Sequence, residues 1–334
     1  MKNFLKYFSL AFICFFIAFL LGSYTFLKFN NGEKNLIYNN INKSVEKDIK
    51  LSEKDKKEKE TEKPINSLEE GIERSDRINF ILLGMDDIRT DTIIFASFDR
   101  ECKRVDFISI PRDTYVYRKG YEKAEQRKIN AVYGDHGIEG LKKTIEYMLE
   151  EAPVHHYVMV DYKGVENIVD SIGGVEVYVP FHMKYEDPTS KPPLYIDIPK
   201  GEQVLDGKKA VQFLRYRKGN NNKVGYKEGD LGRIKAQQEF LFSLLNKSLG
   251  ARLPLVVKSS FEHVNTDISL NEALKYGKEA FGIDKKDFKF STLPGVASYR
   301  TIEGKTLSYY IQDELKTKEI IEELYKVSKK VPME

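Results

Sequence analysis

The pattern of apolar and charged positions divides the chain into three zones. Residues 7–27 are a run of 21 positions without a charged side chain, which as a helix would span roughly 30 Å, the thickness of a hydrocarbon core. Residues 43–64 are the opposite, with 15 charged side chains among 22 positions, and they bury too little apolar surface to fold alone. From residue 77 onward, short apolar runs alternate with polar turns, as in a folded domain.

These zones predict an N-terminal tail and transmembrane anchor (1–29), a charged linker (30–76) and a folded domain (77–334). A cleavable signal peptide is the alternative for the first zone, but its apolar core would be about 7–15 residues and would precede a small-residue cleavage site. The apolar run here is longer, and no A-x-A pattern follows it. Lysines lie on both sides of the run, so the charge pattern leaves the orientation in the membrane open.

Within the folded domain, strand-like and helix-like patterns alternate. Runs rich in apolar and β-branched residues predict strands over 78–83, 92–98, 104–110, 154–160 and 175–179. Apolar positions at helical spacing predict helices over 137–151, 161–172, 206–213, 233–249, 270–281 and 313–328, with Asp161 as an N-cap residue. This alternation favours a mixed sheet with helices on both faces.

Composition excludes several classes of protein. The two cysteines, Cys14 and Cys102, are far apart and one lies in the apolar run, which rules out a disulfide framework and a cysteine-based zinc site. The net charge is only +3, from 54 basic and 51 acidic residues, whereas a general nucleic-acid binder would have a strongly basic domain. The chain also lacks the G-x-S-x-G and H-E-x-x-H motifs of common hydrolases.

Aspartates and arginines at the ends of predicted elements are the main candidates for chemistry. Asp86 and Asp91 flank the loop between the first two strands, and two carboxylates can hold a hard cation such as Mg²⁺. Arg112 follows the third strand. Taken singly, such residues are usually solvated loop ends or caps.

The spacing of three further arginines strengthens the case for anion binding. Arg215 and Arg217 share one face only if the backbone between them is extended, and guanidinium groups that point the same way repel each other unless an anion lies between them. Arg233, in the first turn of a predicted helix, adds its charge to free backbone N–H groups. Carboxylates, a metal and several arginines together are typical of phosphoryl transfer.

Nine stretches of the folded zone resemble the LytR–CpsA–Psr family of cell-wall glycopolymer transferases, and the resemblance extends over nearly the whole zone, from Asn79 to about Tyr325. They are residues 79–86 (NFILLGMD), 89–92 (RTDT), 109–114 (SIPRDT), 128–131 (KINA), 156–158 (HYV), 173–175 (GGV), 201–207 (GEQVLDG), 215–217 (RYR) and 230–238 (DLGRIKAQQ). The short N-terminal anchor is also similar to that family.

The resemblance implies a reaction and a set of site residues. Members of this family move a glycosyl phosphate from a polyprenyl-pyrophosphate carrier onto a hydroxyl group of peptidoglycan, and the glycan here would be a teichoic acid or a capsule-type polysaccharide. The match implies that Asp86 and Asp91 bind Mg²⁺, with Mn²⁺ as a possible substitute. It assigns pyrophosphate binding or catalysis to Arg89, Arg112, Arg215, Arg217, Arg233 and Gln237, and a supporting role to Asp230 and Asn130. The resemblance does not settle which group accepts the hydroxyl proton; Asp91 is the candidate, although a carboxylate bound to a metal is a poor base.

The resemblance also implies a fold and a location. The expected fold is an α/β/α sandwich with a mixed central sheet and an apolar channel for the polyprenyl tail. The domain would lie outside the cytoplasmic membrane, with the membrane, the lipid-linked glycan and peptidoglycan as partners and no nucleic acid.

Two alternatives remain open at this point. A hydrolase could cleave the lipid pyrophosphate with water at the same site. A non-enzymatic, regulatory membrane protein could bind a polyprenyl lipid, and such a protein would need the apolar channel and the arginines but not the Asp86 and Asp91 pair.

Overall fold

The computed structural model describes residues 64–190, 193–220, 224–249 and 253–327. The described residues from Ile65 onward belong to one compact unit. The predicted anchor over 7–27 and most of the predicted linker lie outside the described residues. Every helix in the described ranges is too short or too polar to cross a membrane.

Each strand and helix predicted from the sequence pattern is present. The strands are β1 (Arg77–Asp86), β2 (Arg89–Asp99), β3 (Arg104–Ser109), β4 (His156–Val160), β5 (Val175–Val179), β6 (Met183–Asp187), β7 (Leu194–Ile198), β8 (Gly201–Leu205), β9 (Asn265–Thr266), β10 (Phe288–Thr292), β11 (Gly295–Ile302) and β12 (Lys305–Gln312). The helices are α1 (Leu68–Glu73), α2 (Val132–Met148), α3 (Tyr162–Ser171), α4 (Gly207–Arg215), α5 (Asp230–Ser248), α6 (Leu253–Phe261), α7 (Leu270–Glu279) and α8 (Glu314–Leu324).

A six-stranded mixed sheet forms the centre of the unit, in the order β10-β3-β2-β1-β4-β9. Strands β1, β2 and β3 are antiparallel neighbours joined by short turns. Strand β4 is parallel to β1, and β10 is parallel to β3. The prediction of a mixed central sheet is therefore confirmed.

Helices cover both faces of this sheet because successive strand residues point to opposite sides. On one face, Ile81 and Leu83 of β1 belong to a buried cluster with residues of α2 and α8. On the other face, Phe80 and Leu82 of β1 and Leu241 of α5 pack against a second buried cluster. The continuous apolar run in β1 is thus the mark of a strand buried on both faces.

A second core lies beside the central sheet. Strand β5 pairs with β8 and β6 pairs with β7, both antiparallel, and their buried side chains pack with α4 and α5 around Phe213 and Phe240. Strands β6, β7 and β8 were not predicted from the sequence. In these five-residue strands, exposed side chains alternate with buried or half-buried ones, so charged residues interrupt their apolar pattern.

Candidate active site

A β-bulge sets the direction of Asp91. Strands β1 and β2 are joined by a two-residue turn, in which Asp87 has φ of 57°, a conformation that aspartate tolerates better than most residues. Gly84 pairs with Thr92 but Met85 pairs with Thr90, so Asp91 is the extra residue of the bulge. Bulges change the direction in which a side chain points and are frequent next to active sites.

Arg112 binds the Asp91 carboxylate. Its Nη1 donates to Asp91 Oδ1 at 2.8 Å, and the two side chains are only 15% and 22% exposed. The backbone N–H of Asn130 donates to the carbonyl of Arg112 at 3.2 Å, which fixes the loop that carries the arginine. Burial alone would lower the pKa of Arg112, but the carboxylates of Asp91 and Asp230 raise that pKa above its ordinary value.

The N-terminus of α5 brings a second arginine to the same place. Arg233 Nη2 lies 2.8 Å from Asp230 Oδ1, and the Arg233 side chain is 5% exposed. Gly232 between them is required by packing, since a Cβ at this position would lie 2.6 Å from Cβ of Tyr226. Arg217 Nε lies 3.9 Å from the same Asp230 oxygen.

Positive charge is crowded in this site. Burial, together with the neighbouring guanidinium groups of Arg112 and Arg217, lowers the pKa of Arg233 in spite of the carboxylates of Asp230 and Asp91. The Nε atoms of Arg112 and Arg233 are buried and donate to no acceptor in the described part of the chain. Buried donors without partners are costly, and an anion bound between these two arginines would supply the missing acceptors.

The geometry of Arg215 differs from the prediction. The sequence required an extended backbone for Arg215 and Arg217 to share a face, but Arg215 is the last residue of α4 and the chain becomes extended only at Tyr216. The two arginines still reach one site from two sides. Arg217 faces Asp230, whereas the Arg215 guanidinium lies over the ring of Tyr162, 4.3 Å from its centroid.

Tyr162 lies beneath the Arg215 guanidinium. Burial and the negative charges of Asp86 and Asp91 raise the pKa of Tyr162 to about 12, while Arg215 acts in the opposite direction. Sequence analysis missed this residue. Only the pairing register of β4 with β1 could have indicated it. Val160 pairs with Gly84, so the residues that follow these two positions leave the sheet at the same edge.

Two predicted residues occupy the margin of the site. Arg89 is exposed at the first position of β2, opposite Asp86 in the hairpin register. Gln237 donates through Nε2 to the carbonyl of Leu214 at 3.3 Å. Gln237 thereby links α5 to the end of α4, one residue before Arg215.

An apolar cavity of about 270 Å³ lies next to these side chains. It begins at Gly84 and Thr92, on the strands that carry Asp86 and Asp91, and passes between the sheet and helices α3 and α5. Its lining is almost entirely aliphatic and comprises Leu82, Leu83, Gly84, Thr92, Ile94, Val158, Val160, Val165, Ile168, Leu214, Gln237, Phe240, Leu241, Leu244 and Val264.

Asp86 and Asp91 are the carboxylates that would hold a magnesium ion, if one binds together with substrate phosphates. Asp86 ends β1 and Asp91 lies in the bulge of β2, and the charges of both carboxylates act on Tyr162. Across the described ranges, no cluster of three or more His, Cys, Asp or Glu side chains could hold a metal by itself. Mg²⁺ is commonly held by one or two carboxylates together with substrate phosphates, and the donor set here suits that mode.

Comparisons with known proteins agree with this geometry. The sequence model of the LytR_cpsA_psr family matches residues 35–326. The chain is 29% identical over 229 residues to "Polyisoprenyl-teichoic acid--peptidoglycan teichoic acid transferase TagV" of Bacillus subtilis strain 168, covering 67% of this chain and 56% of TagV. It is 30% identical over 247 residues to "Regulatory protein MsrR" of Staphylococcus aureus strain COL, covering 70% of each.

The fold is also similar to a solved structure. The crystal structure of B. subtilis TagV superposes with a TM-score of 0.62 at 26% identity, over 77% of this chain and all of that chain. The present chain spans little more than half the length of the curated TagV protein.

Proposed function

This chain belongs to the LytR_cpsA_psr family, and from that premise we propose that it transfers a glycosyl phosphate from a polyprenyl-pyrophosphate carrier onto a hydroxyl group of peptidoglycan. The transferred glycan would be a teichoic acid or a capsule-type polysaccharide. TagV, a curated relative, carries the name of a teichoic acid transferase that uses peptidoglycan.

The observation that carries this proposal is the contact between a cationic clamp and an apolar cavity. The site residues include five arginines, Arg89, Arg112, Arg215, Arg217 and Arg233, against the three aspartates Asp86, Asp91 and Asp230. The excess positive charge complements a pyrophosphate diester, which is a dianion. The cavity at Gly84 and Thr92 complements an aliphatic chain, and a polyprenyl pyrophosphate has both parts in one molecule.

The reaction follows from this placement of charge. The acceptor hydroxyl oxygen attacks the phosphorus that carries the sugar, and the bond from that phosphorus to the bridging oxygen breaks. The electron pair of this bond leaves with the polyprenyl phosphate. Arg112, Arg215, Arg217 and Arg233 stabilise the charge that develops on the leaving group, and loss of one preorganised contact of this kind costs about 10²–10³ in rate.

The proton of the acceptor hydroxyl needs a base, and Asp91 is the candidate at this position. Its hydrogen bond from Arg112 holds the carboxylate in one orientation. Asp86 and Asp91 would hold Mg²⁺, or Mn²⁺ in its place, and a bound divalent ion would neutralise charge on the phosphate oxygens.

We propose that the domain lies outside the cytoplasmic membrane and is anchored by residues 7–27. The support is the uncharged length of that run and the need to reach peptidoglycan. Treatment of intact protoplasts with an impermeant protease tests this location. Digestion of the domain before lysis is expected, and its survival until lysis would contradict the location.

Two alternatives compete for the same site. A hydrolase would release the glycosyl phosphate to water. A regulatory lipid-binding protein would perform no chemistry. The observation that favours this alternative is the name of the relative MsrR, which is a regulatory protein.

A single assay distinguishes the proposed transferase from the hydrolase and from the regulatory lipid-binding protein. The purified full chain is mixed with lipid-linked glycan and peptidoglycan fragments, and the products are scored for glycan on peptidoglycan and for free glycosyl phosphate. Transfer supports the proposal, whereas release without transfer indicates a hydrolase. Binding of the lipid with neither product would indicate a regulatory protein.

A further inference from the structure

We propose that an aromatic face beside the anion clamp binds the sugar rings of the acceptor glycan strand. This aromatic face consists of Tyr115, Tyr117 and Tyr121, which lie in the segment that follows Arg112. That the bound saccharide is the peptidoglycan acceptor rests on the proposed function, whereas the capacity of this face to bind sugar rings does not.

A short two-stranded ribbon carries the aromatic face away from the clamp. Tyr115, three residues after Arg112, pairs with Lys128 in an antiparallel bridge. Successive side chains of an extended backbone point to opposite sides, and burial alternates accordingly, with residues 114, 116 and 118 buried and Tyr117 72% exposed. Tyr115 and Tyr117 therefore share the outer side of the ribbon.

The start of α2 connects the aromatic face to the turn between β1 and β2. A Cβ at Gly134 would lie 3.3 Å from the carbonyl oxygen of Ile88, so the first turn of α2 packs against that turn. The next residue, Asp135, binds Nη1 of Arg118 at 2.8 Å, and the Arg118 guanidinium lies over the ring of Tyr121. The aromatic face therefore borders the candidate active site along two separate elements.

Each of the three rings has an arginine on one of its faces. The guanidinium carbons lie 3.8, 4.6 and 4.3 Å from the ring centroids in the pairs Arg118–Tyr121, Arg127–Tyr117 and Arg300–Tyr115. Cation–π pairs of significant energy occur about once per 70–80 residues, so three of them around one short segment are unusual. The arginine fixes the Tyr117 ring from one side, and the exposed ring presents its other face to solvent.

The charges behind these rings are balanced, in contrast to the excess of positive charge in the clamp. The ion pairs have N–O distances of 2.8, 3.0 and 2.9 Å and are Arg118–Asp135, Arg127–Glu122 and Lys128–Asp113. A surface whose buried arginines already have carboxylate partners attracts a polyanion only weakly.

An uncharged ligand with C–H faces and hydroxyl groups fits this surface better than a phosphate does. The face of an aromatic ring carries partial negative charge, which attracts the C–H face of a sugar ring. The carboxylates and guanidinium groups at the margin supply acceptors and donors for hydroxyl groups. A glycan strand has this chemistry, so the clamp and the aromatic face would bind the two substrates separately.

A binding experiment tests the aromatic face directly. The chain contains no tryptophan, so Tyr117→Trp introduces a single fluorescent reporter and keeps an aromatic ring at this position. The full-length variant is titrated with chitotetraose, an uncharged oligosaccharide of N-acetylglucosamine. We expect a saturable blue shift of the emission that does not depend on salt, and no shift with inorganic polyphosphate.

Tyr147 provides the matched control for this experiment. It is as exposed as Tyr117 but lies at the opposite end of α2 from Gly134. The emission of Tyr147→Trp should therefore not respond to chitotetraose.

Steady-state kinetics of transfer, with each substrate varied in turn, test whether the bound sugar is the acceptor. Tyr117→Ala should raise KM for the peptidoglycan fragment roughly 2–13-fold, the effect of one aromatic contact, and leave KM for the lipid-linked glycan unchanged. Tyr117→Phe keeps the ring and should resemble the wild type, as should Tyr147→Ala.

The outcomes that would overturn this inference are distinct from failure of the proposed function. The inference is wrong if chitotetraose causes no shift in Tyr117→Trp, if Tyr147→Trp shifts equally, or if polyphosphate causes the shift instead. It is also wrong if the wild type transfers glycan and Tyr117→Ala has an unchanged KM for the acceptor. If chitotetraose binds at Tyr117 but the wild type transfers no glycan, the sugar-binding face stands and the proposed function fails.

Discussion

The Arg112 guanidinium donates a hydrogen bond of 2.8 Å to the Asp91 carboxylate, and this pair joins the loop after β3 to the bulge in β2. Both side chains are largely buried. Each partner therefore fixes the position of the other. The pair is a part of the fold as well as a part of the site.

Arg112→Met should reduce stability as well as activity. The substitution leaves Asp91 partly buried without its donor, and an unsatisfied group of this kind costs about 1–3 kcal/mol. Urea unfolding measures the loss. An unchanged midpoint with an unchanged slope would mean that Asp91 finds another partner or full hydration.

Arg215→Lys and Arg217→Lys should each reduce the transfer rate roughly 10–100-fold, because lysine keeps the charge but loses one of two parallel hydrogen bonds to phosphate oxygens. Because the Arg217 side chain is 50% exposed, the thermal unfolding temperature of the Arg217→Lys variant should equal that of the wild type. Arg104→Lys is the control, since Arg104 pairs with Asp106 on β3, outside the site. Wild-type rates in both clamp variants would mean that these arginines are ordinary surface charges.

Asp86→Ala and Asp91→Ala should each abolish metal-dependent transfer while the fold persists. EDTA should stop the wild-type reaction, and added Mg²⁺ should restore it. The measurement is the initial rate against free Mg²⁺ concentration, with circular dichroism as the check on folding. Full activity in EDTA would exclude a role for the carboxylate pair in metal binding.

Leu244→Phe should discriminate between lipid chain lengths. Leu244 lines the apolar cavity, so a larger side chain shortens the space for the tail. We expect KM for a long polyprenyl carrier to rise several-fold, with little change for a short prenyl analogue. Leu245→Phe is the control, because Leu245 packs against the sheet and does not line the cavity. Equal effects on both chain lengths would place the lipid elsewhere.

Acid should destabilise the protein partly through Asp99. Burial would raise the pKa of this carboxyl, but the backbone N–H of Cys102 and the Arg77 guanidinium hold that pKa below its ordinary value. The folded state therefore takes up the proton less readily than the unfolded state, and this contribution is complete above the ordinary value of 3.8 and is lost as pH falls below it. Urea unfolding at pH 6, 4 and 3 should show that the difference in free energy of unfolding between wild type and Asp99→Asn becomes smaller as pH falls. A constant difference would contradict the assignment.

Sequence patterns predicted β1–β4 of the central sheet because these strands appear as apolar runs, but they missed β9 and β10, the strands at the two ends of that sheet. The same patterns missed β6–β8, whose polar faces interrupt the apolar signal. They indicated that Asp86 and Asp91 share one loop, but the bulge that directs Asp91 depends on the pairing of Gly84 with Thr92. A pairing register is a tertiary property, and no local pattern reports it.

The positions of Arg215 and Tyr162 also could not be predicted from local sequence patterns. Spacing alone suggested that Arg215 and Arg217 need an extended backbone, yet α4 continues through Arg215 and the site is assembled from two directions. Tyr162 carries no motif by itself. Its position becomes informative only when β4 is known to run parallel to β1.

The parallel pairing of β3 with β10 has a consequence for the order of folding. Val105 pairs with Phe288, so the strand that covers this edge of the sheet is made only near the end of synthesis. Until then the growing chain exposes an unpaired edge, which is a known site of intermolecular association. Chains that stop before residue 288 should therefore aggregate, even though they already contain every residue of the anion clamp.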